Sequence, residues 1–207
     1  MSGTRTYPDE PAGSFPSPPA TVPDREDREI TLEAAGSLSD GRLEDVIEMY
    51  VRFDPADRAQ GIPPTGHERI RSWLEGIGED SVNVVAIHDG DVVGHAMLVP
   101  DVEDRDVDRS GADEPDVDRS GVDNRGDDLV AGEWELAIFV VQEYQRAGIG
   151  TTLLEHLLGH AIDIGIDRVW LTVERWNHPA IALYERVGFE TTGSQSFEQE
   201  MAILLES

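Results

Sequence analysis

At 207 residues the chain suits one domain with some excess, and it is long enough to bury a sizeable core. It has no cysteine, which excludes disulfides and thiolate metal sites, and its formal charge of −27 argues against a nonspecific hold on nucleic-acid phosphates. No apolar run approaches the ~20 residues of a membrane span, and the first residues lack the basic flank and apolar stretch of a secretory signal, so a cytoplasmic protein is expected.

In chain order, residues 1–28 hold six of the twelve prolines with no apolar periodicity, and they read as a disordered, Pro-rich acidic tail. The stretch 29–35, EITLEAA, alternates like a strand. Leu43, Val46, Ile47, Tyr50 and Val51 recur at helical spacing across 38–53, and 66–78 reads as a second, shorter helix. Two apolar runs over 81–99 flank Asp89, Gly90 and Asp91, a hairpin signal. Residues 101–129 then break the pattern: DVDRSG occurs twice, and twelve acids face four arginines over 101–128 with almost nothing to bury, so an acidic insertion loop is expected. A strand over 134–141 and a glycine-bearing turn lead into a helix whose inner face carries Leu153, Leu154, Leu157, Leu158, Ala161 and Ile162. Another strand over 168–174, a helix over 178–188 and two strands within 189–205 close the chain. The order is that of a mixed α/β single domain over 29–207.

All 16 basic residues are arginine. An acidic, lysine-free composition resembles that of proteins from salt-accumulating halophilic archaea; in molar salt the Debye length is only ~3 Å, so like charges barely repel. An acidic mesophilic protein is the plainer alternative. Within the insertion, Asp116, Asp118, Ser120, Gly121 and Asp127 follow the spacing of a calcium loop, but flanking helices are absent and Asp123 stands where an aliphatic residue is usual. A solvated acidic loop is the simpler reading.

Gly148 and Gly150 open the leucine-faced helix although glycine weakens a helix by up to ~1 kcal/mol relative to alanine. The first turn of a helix has unpaired N–H groups and the positive end of the dipole, a ready anion site. Bare backbone at Gly148 and Gly150 lets a phosphate approach, and the Arg146 guanidinium can fork onto its oxygens. His156 and His160 stand one helical turn apart, but no third ligand is in view, so no metal is expected.

Gln145, Arg146, Ala147, Gly148, Ile149 and Gly150 match the [QR]-x-x-G-x-[GA] pyrophosphate loop, and this stretch resembles the GNAT acyltransferase superfamily. The segment NHPAIALYERVGFE, which begins 27 residues after Gly150, is similar to that family's N-x-x-A-x-x-L-Y-x-x-x-G-F motif. The resemblance runs from about residue 29 to the end. It implies the GNAT fold, a mixed central sheet flanked by helices, and acetyl-CoA as acyl donor with no metal. The pantetheine arm would lie against the backbone of Ile138, Phe139 and Val140 in a splay between strands 134–141 and 168–174. The pyrophosphate would rest on N–H groups from Arg146 to Thr151, and Asn177 would bond the pantetheine or phosphate region. Tyr184 aligns with the family's general-acid tyrosine. Glu135 is the best candidate base, with Glu133 and Glu174 behind it. The branch that acetylates ribosomal-protein N-termini carries a glutamate where this chain has Thr172, which leaves the base open. The acceptor would be an amine of a small molecule or protein, and the protein a monomer or homodimer. A catalytically silent acyl-CoA-binding module is the alternative.

Overall fold

In the computed structural model, which describes residues 5–36, 38, 40–53, 63–77, 80–101 and 132–206, eight strands form one sheet. The elements are β1 (Ala20–Pro23), β2 (Glu29–Ala34), α1 (Asp40–Val51), α2 (His67–Ile77), β3 (Val82–His88), β4 (Asp91–Pro100) and β5 (Glu133–Val140). There follow a 3-10 turn (Gln142–Tyr144), α3 (Ile149–Asp163), β6 (Arg168–Glu174), α4 (His178–Val187), β7 (Glu190–Ser194) and β8 (Glu198–Leu204). The strand order is β1-β2-β3-β4-β5-β6-β8-β7, and only the β5–β6 pair is parallel. This is the mixed α/β arrangement expected from the sequence.

The β3–β4 hairpin turns on Asp89 (φ 52°) and Gly90 (φ 91°), the two left-handed residues that a tight primed turn requires. Both strands are buried along nearly their whole length because helices cover both faces of the sheet. On one face Leu153, Leu154, Leu157 and Leu158 of α3 pack against Val84, Ala86, Ala96 and Leu136. On the other, Ile47 and Tyr50 of α1 and Ile70 and Leu74 of α2 meet Val85, Ile87 and Val92. A buried polar relay ties α1 to the sheet. Asn83 Nδ2 donates to the Gly36 carbonyl (2.7 Å) and to Ser81 Oγ (3.0 Å), leaving Oδ1 to accept from His95 Nε2–H at 3.0 Å. His95 Nδ1 therefore accepts from the Tyr50 hydroxyl at 2.7 Å. Complete burial holds His95 down to about 3, so the ring stays neutral.

The disordered tail expected over 1–28 is corrected over its described part. Thr21 and Val22 pair with Thr31 and Ile30, making β1 the edge strand, a place where Pro23 costs no ladder bond. The Ala12 amide donates to the Leu204 carbonyl at 2.7 Å, and Ala12, Phe15 and Val22 pack on the α3 core. Gly159 of α3 seats the strap: a Cβ there would lie 2.1 Å from the Pro16 carbonyl oxygen. A few well-spaced anchors order a stretch whose composition alone reads as disorder. From residue 102 to 131 the acidic insertion, with its calcium-loop pattern, lies outside the described residues.

Candidate active site

The β5–β6 pairing lasts three residues, Glu133↔Arg168, Trp134↔Val169 and Glu135↔Trp170. Beyond it β5 stays bonded to β4 as far as Val140, and β6 to β8 as far as Glu174, so the two parallel strands part. The Val141 amide donates to the Val93 carbonyl at 3.0 Å, and strand alternation then turns Phe139 toward β4. The backbone groups facing the opening belong to Leu136, Ile138 and Val140. Phe139 is thus corrected as a backbone contact: its amide and carbonyl serve the β4 ladder, while its ring packs edge-on against Tyr50 at 5.3 Å. The Val140 carbonyl accepts from Gln145 Nε2 at 3.0 Å, which gives Gln145 the task of closing the top of the opening.

Past that point the chain takes two left-handed residues, Arg146 (φ 63°) and Gly148 (φ 95°), around buried Ala147. Gly148 caps α3 and no side chain bonds its first turn, so the amides of Ile149, Gly150 and Thr151 have no intrahelical acceptor. The two glycines answer different needs. At Gly148 the positive φ disfavours any side chain, while a Cβ would meet Arg25 only at ordinary contact distance, 3.5 Å from Nε. At Gly150 a Cβ would come 3.1 Å from Leu183 Cδ1, so this glycine lets α3 and α4 approach. A cavity of about 260 Å3 sits at this turn, lined by Arg25, Gly148, Thr151, Thr152 and Arg186 among others. Arg25 is held there by its own amide, which donates to the Ala147 carbonyl at 2.9 Å. The Asp24 carboxylate fixes the preceding turn by accepting from the Glu26 amide (2.8 Å) and the Arg28 amide (3.0 Å). Arg146 is exposed and does not line the cavity.

Asn177 caps α4, its Oδ1 accepting from the Ala180 amide at 3.3 Å, so the donor end of its carboxamide is what it can offer a ligand. Tyr184, one face of α4 later, is buried beside Phe189 in the α3-side core, and burial pushes its phenol up to about 12. Glu135 alternates with Trp134 and Leu136, which belong to that core, so its side chain stands on the opposite face of the sheet. Tyr184 and Glu135 are therefore divided by the sheet and meet only through the β5–β6 opening. Burial raises the Glu135 carboxyl, Asp101 raises it further, and Arg5 works the other way.

Residues 43–189 match the Acetyltransferase (GNAT) family. The chain belongs to the GNAT family. It is 48% identical over 52 residues to [Ribosomal protein bS18]-alanine N-acetyltransferase of Escherichia coli, covering 25% of this chain and 35% of that one. To an uncharacterized N-acetyltransferase of Mycobacterium bovis it is 29% identical over 114 residues, 55% of this chain and 56% of the relative. The chain thus spans between a third and just over half of the curated relatives it matches. Among solved structures, the GNAT domain of S. lividans PAT superposes with a TM-score of 0.67 at 17% identity, over 90% of this chain and 96% of that one. A Salmonella typhimurium acetyltransferase, yncA, solved with acetyl-CoA, superposes at 0.55 with 18% identity over 86% and 95%. Both likenesses speak for the GNAT fold.

Within this GNAT frame, Thr172 is exposed on the Glu135 face and pairs with Glu200. The sequence reading missed Arg25, Arg186 and Thr152 at the cavity. Arg186 lies two residues past Tyr184 and was open to inspection; Arg25 sits in a stretch with no periodic signal, so nothing local pointed to it. His156 is buried and its ring Nδ1 donates to the Thr152 carbonyl at 2.7 Å, a within-helix bond.

Proposed function

We propose that the protein transfers an acetyl group from acetyl-CoA directly to an amine of a small molecule or protein. The observation that carries this reading is the early end of the β5–β6 pairing beside a helix N-terminus whose first amides are bare. Acetyl-CoA, when bound, supplies the acyl group activated as a thioester. The residues present suit it. Ile138 offers its strand amide and carbonyl to a pantetheine arm and Val140 its amide, the Val140 carbonyl being held by Gln145, with Leu136 deeper in the opening. The amides of Ile149, Gly150 and Thr151, together with Arg25 and Arg186, offer dipoles and charge to a diphosphate. Asn177 offers its N–H donors between the two. Ala147 is buried beneath the turn and holds its shape.

Tyr184 keeps its proton throughout the physiological range because burial disfavours the phenolate. Full transfer of that proton to an ordinary thiolate would be uphill by about 5 kcal/mol, so its contribution is a hydrogen bond that strengthens as negative charge grows on the departing sulfur. On the other face, Glu135 takes the amine proton, directly or through water. A carboxyl raised by burial is the better base for this, since deprotonating a lysine-type amine at neutral pH costs about 4.6 kcal/mol and an α-amine only ~1.

A composition rich in acid and free of lysine supports work in molar salt, in the cytoplasm of a salt-accumulating cell. Screening there lets the near field of the α3 amides prevail over distant carboxylates for a polyanionic donor. Among the described residues no helix is long and apolar enough to cross a membrane. The test is labelled acetyl-CoA with a panel of amines and peptides in molar KCl. Acceptor-dependent release of free thiol is expected; tight CoA binding with no transfer to any acceptor would instead identify a silent binding module.

A further inference from the structure

The face of the sheet that carries Glu135 is covered at one place by the chain's own N-terminal strap. Arg5 lays its guanidinium over the indole of Trp170, 3.5 Å from Cζ to the ring centroid. Its Nε donates to Glu200 at 3.2 Å, and its Nη1 donates to Asp101 at 3.4 Å and also to Glu133. The side chain is only 17% exposed. Trp170 pairs with Glu135 in the last rung before β5 and β6 part, so this guanidinium sits at the closed end of the opening, on the side away from Tyr184. Asp101, Glu133 and Glu200 contact this guanidinium, Glu135 stands beside them within its field, and Arg168, the rung partner of Glu133, is a second cation on the same face.

We propose that these four carboxylates and Trp170 form the subsite for a guanidinium-type cation on the acceptor, and that Arg5 holds it as an intramolecular competitor. The biological use of the subsite rests on the acetyltransferase reading; its existence does not. A desolvated aromatic face beneath a planar cation, with carboxylates in its plane, is the recognition chemistry of guanidinium. The strap that delivers Arg5 is itself seated, by the Ala12–Leu204 bond and by the Pro16 carbonyl resting on Gly159. A tethered ligand of this kind competes at an effective concentration in the millimolar range, enough to weaken a free acceptor without abolishing it.

The seat on Gly159 permits a test remote from the cage. Arg5→Ala removes the competitor, Arg5→Gln removes its charge at similar length, and Gly159→Ala forces the Pro16 carbonyl off α3 while favouring the helix. Agmatine, a small amine with a guanidinium, is titrated into each full-length variant by calorimetry at one fixed KCl concentration, with indole fluorescence as a second readout. All three variants should bind agmatine at least ~10-fold more tightly than the wild type, and adding Trp170→Leu to Arg5→Ala should erase the gain. Equal affinity in the wild type and the Arg5 variants, no agmatine heat in any variant, or a gain that survives Trp170→Leu would overturn the subsite. A gain in the Arg5 variants but not in Gly159→Ala would overturn the role of the strap's seat. CoA titrations and acetyl-transfer assays on the same samples report on the acetyltransferase reading separately: its failure appears as absent transfer, with or without CoA binding, whatever agmatine does.

Discussion

The two sides of the β5–β6 opening carry opposite electrostatics. On the α3 side stand bare helix amides with Arg25 and Arg186, and on the other side Asp101, Glu133, Glu135 and Glu200. In the proposed reading one sheet, three rungs of β5–β6 pairing deep, separates a side suited to anions from a side suited to cations. On that reading a protein of net charge −27 would gain its anion site through fixed dipoles and two arginines rather than through overall charge. It gains the cation side by letting carboxylates converge. The contrast matters for a reaction that joins a polyanionic donor to an amine, because each reactant is drawn to its own side and repelled from the other.

The largest effect should come from placing acid on the anion side. Gly148→Glu adds a charge beside the α3 amides and forces a φ of 95°, which strains a side chain by about 1–2 kcal/mol. CoA affinity measured by calorimetry should fall at least ~100-fold, while agmatine binding on the far face holds. An unchanged CoA affinity would dissolve the contrast at its stronger pole. Next in size, Tyr184→Phe should lower kcat by about 100-fold with CoA affinity intact, as fits a donor needed only while charge builds on sulfur. Stopped-flow thiol release separates the two quantities.

In the proposed site the anion side rests on a contiguous sequence pattern and the cation side does not, for a physical reason. A phosphate-holding turn needs consecutive residues in special conformations, so Gln145 through Thr151 appear as one contiguous pattern. The same holds for Asn177 through Tyr184, where cap, helix and buried ring share one short element. A cage for a cation needs only carboxylates that converge in space. Its members, at 101, 133, 135, 170 and 200, come from three strands, β5, β6 and β8, and from the residue that follows β4. In a chain with 43 acidic residues no single one stands out. Elements with strong periodicity, such as α3 and the β3–β4 hairpin, were readable to within a residue or two. The strap was missed because its order depends on distant seats such as Gly159, which look like helix interior in sequence. Phe139 was misassigned because alternation alone does not say which edge of a strand faces an opening; that needs the register with β4.

The cation side can be probed through its proton. Glu135 must be ionised to accept a proton, and burial together with Asp101 raises its pKa above the usual carboxylate range. Rate against pH should therefore climb through a group in that raised range and fall away below it, since acid fills the base. Glu135→Gln should remove that limb and cost about 10-fold at neutral pH. Asp101→Asn removes a neighbouring charge that opposes ionisation, so the limb should move to lower pH. A limb that stays in place in both variants would assign the proton to another group.

The smallest effects separate two accounts of the anion side. The sequence points to Arg146, within the motif, as the charge for a phosphate. In the structure Arg146 is exposed and outside the cavity, whereas Arg25 and Arg186 line it from the N-terminal turn and from α4. All three side chains are solvent-exposed, so each contributes modestly, under about 1 kcal/mol or a few-fold in affinity. Arg25→Ala and Arg186→Ala should each weaken CoA by about 3-fold at low salt, and the pair should multiply, because the two reach the cavity from different elements. Arg146→Ala should do less than either. Raising KCl to molar levels should shrink all three effects while leaving the Gly148→Glu loss largely in place, since screening quiets exposed charge but leaves backbone geometry and close amide contacts intact. The reverse ranking, with Arg146 dominant, would mean that the turn reorganises around the donor and that Arg25 and Arg186 merely border it.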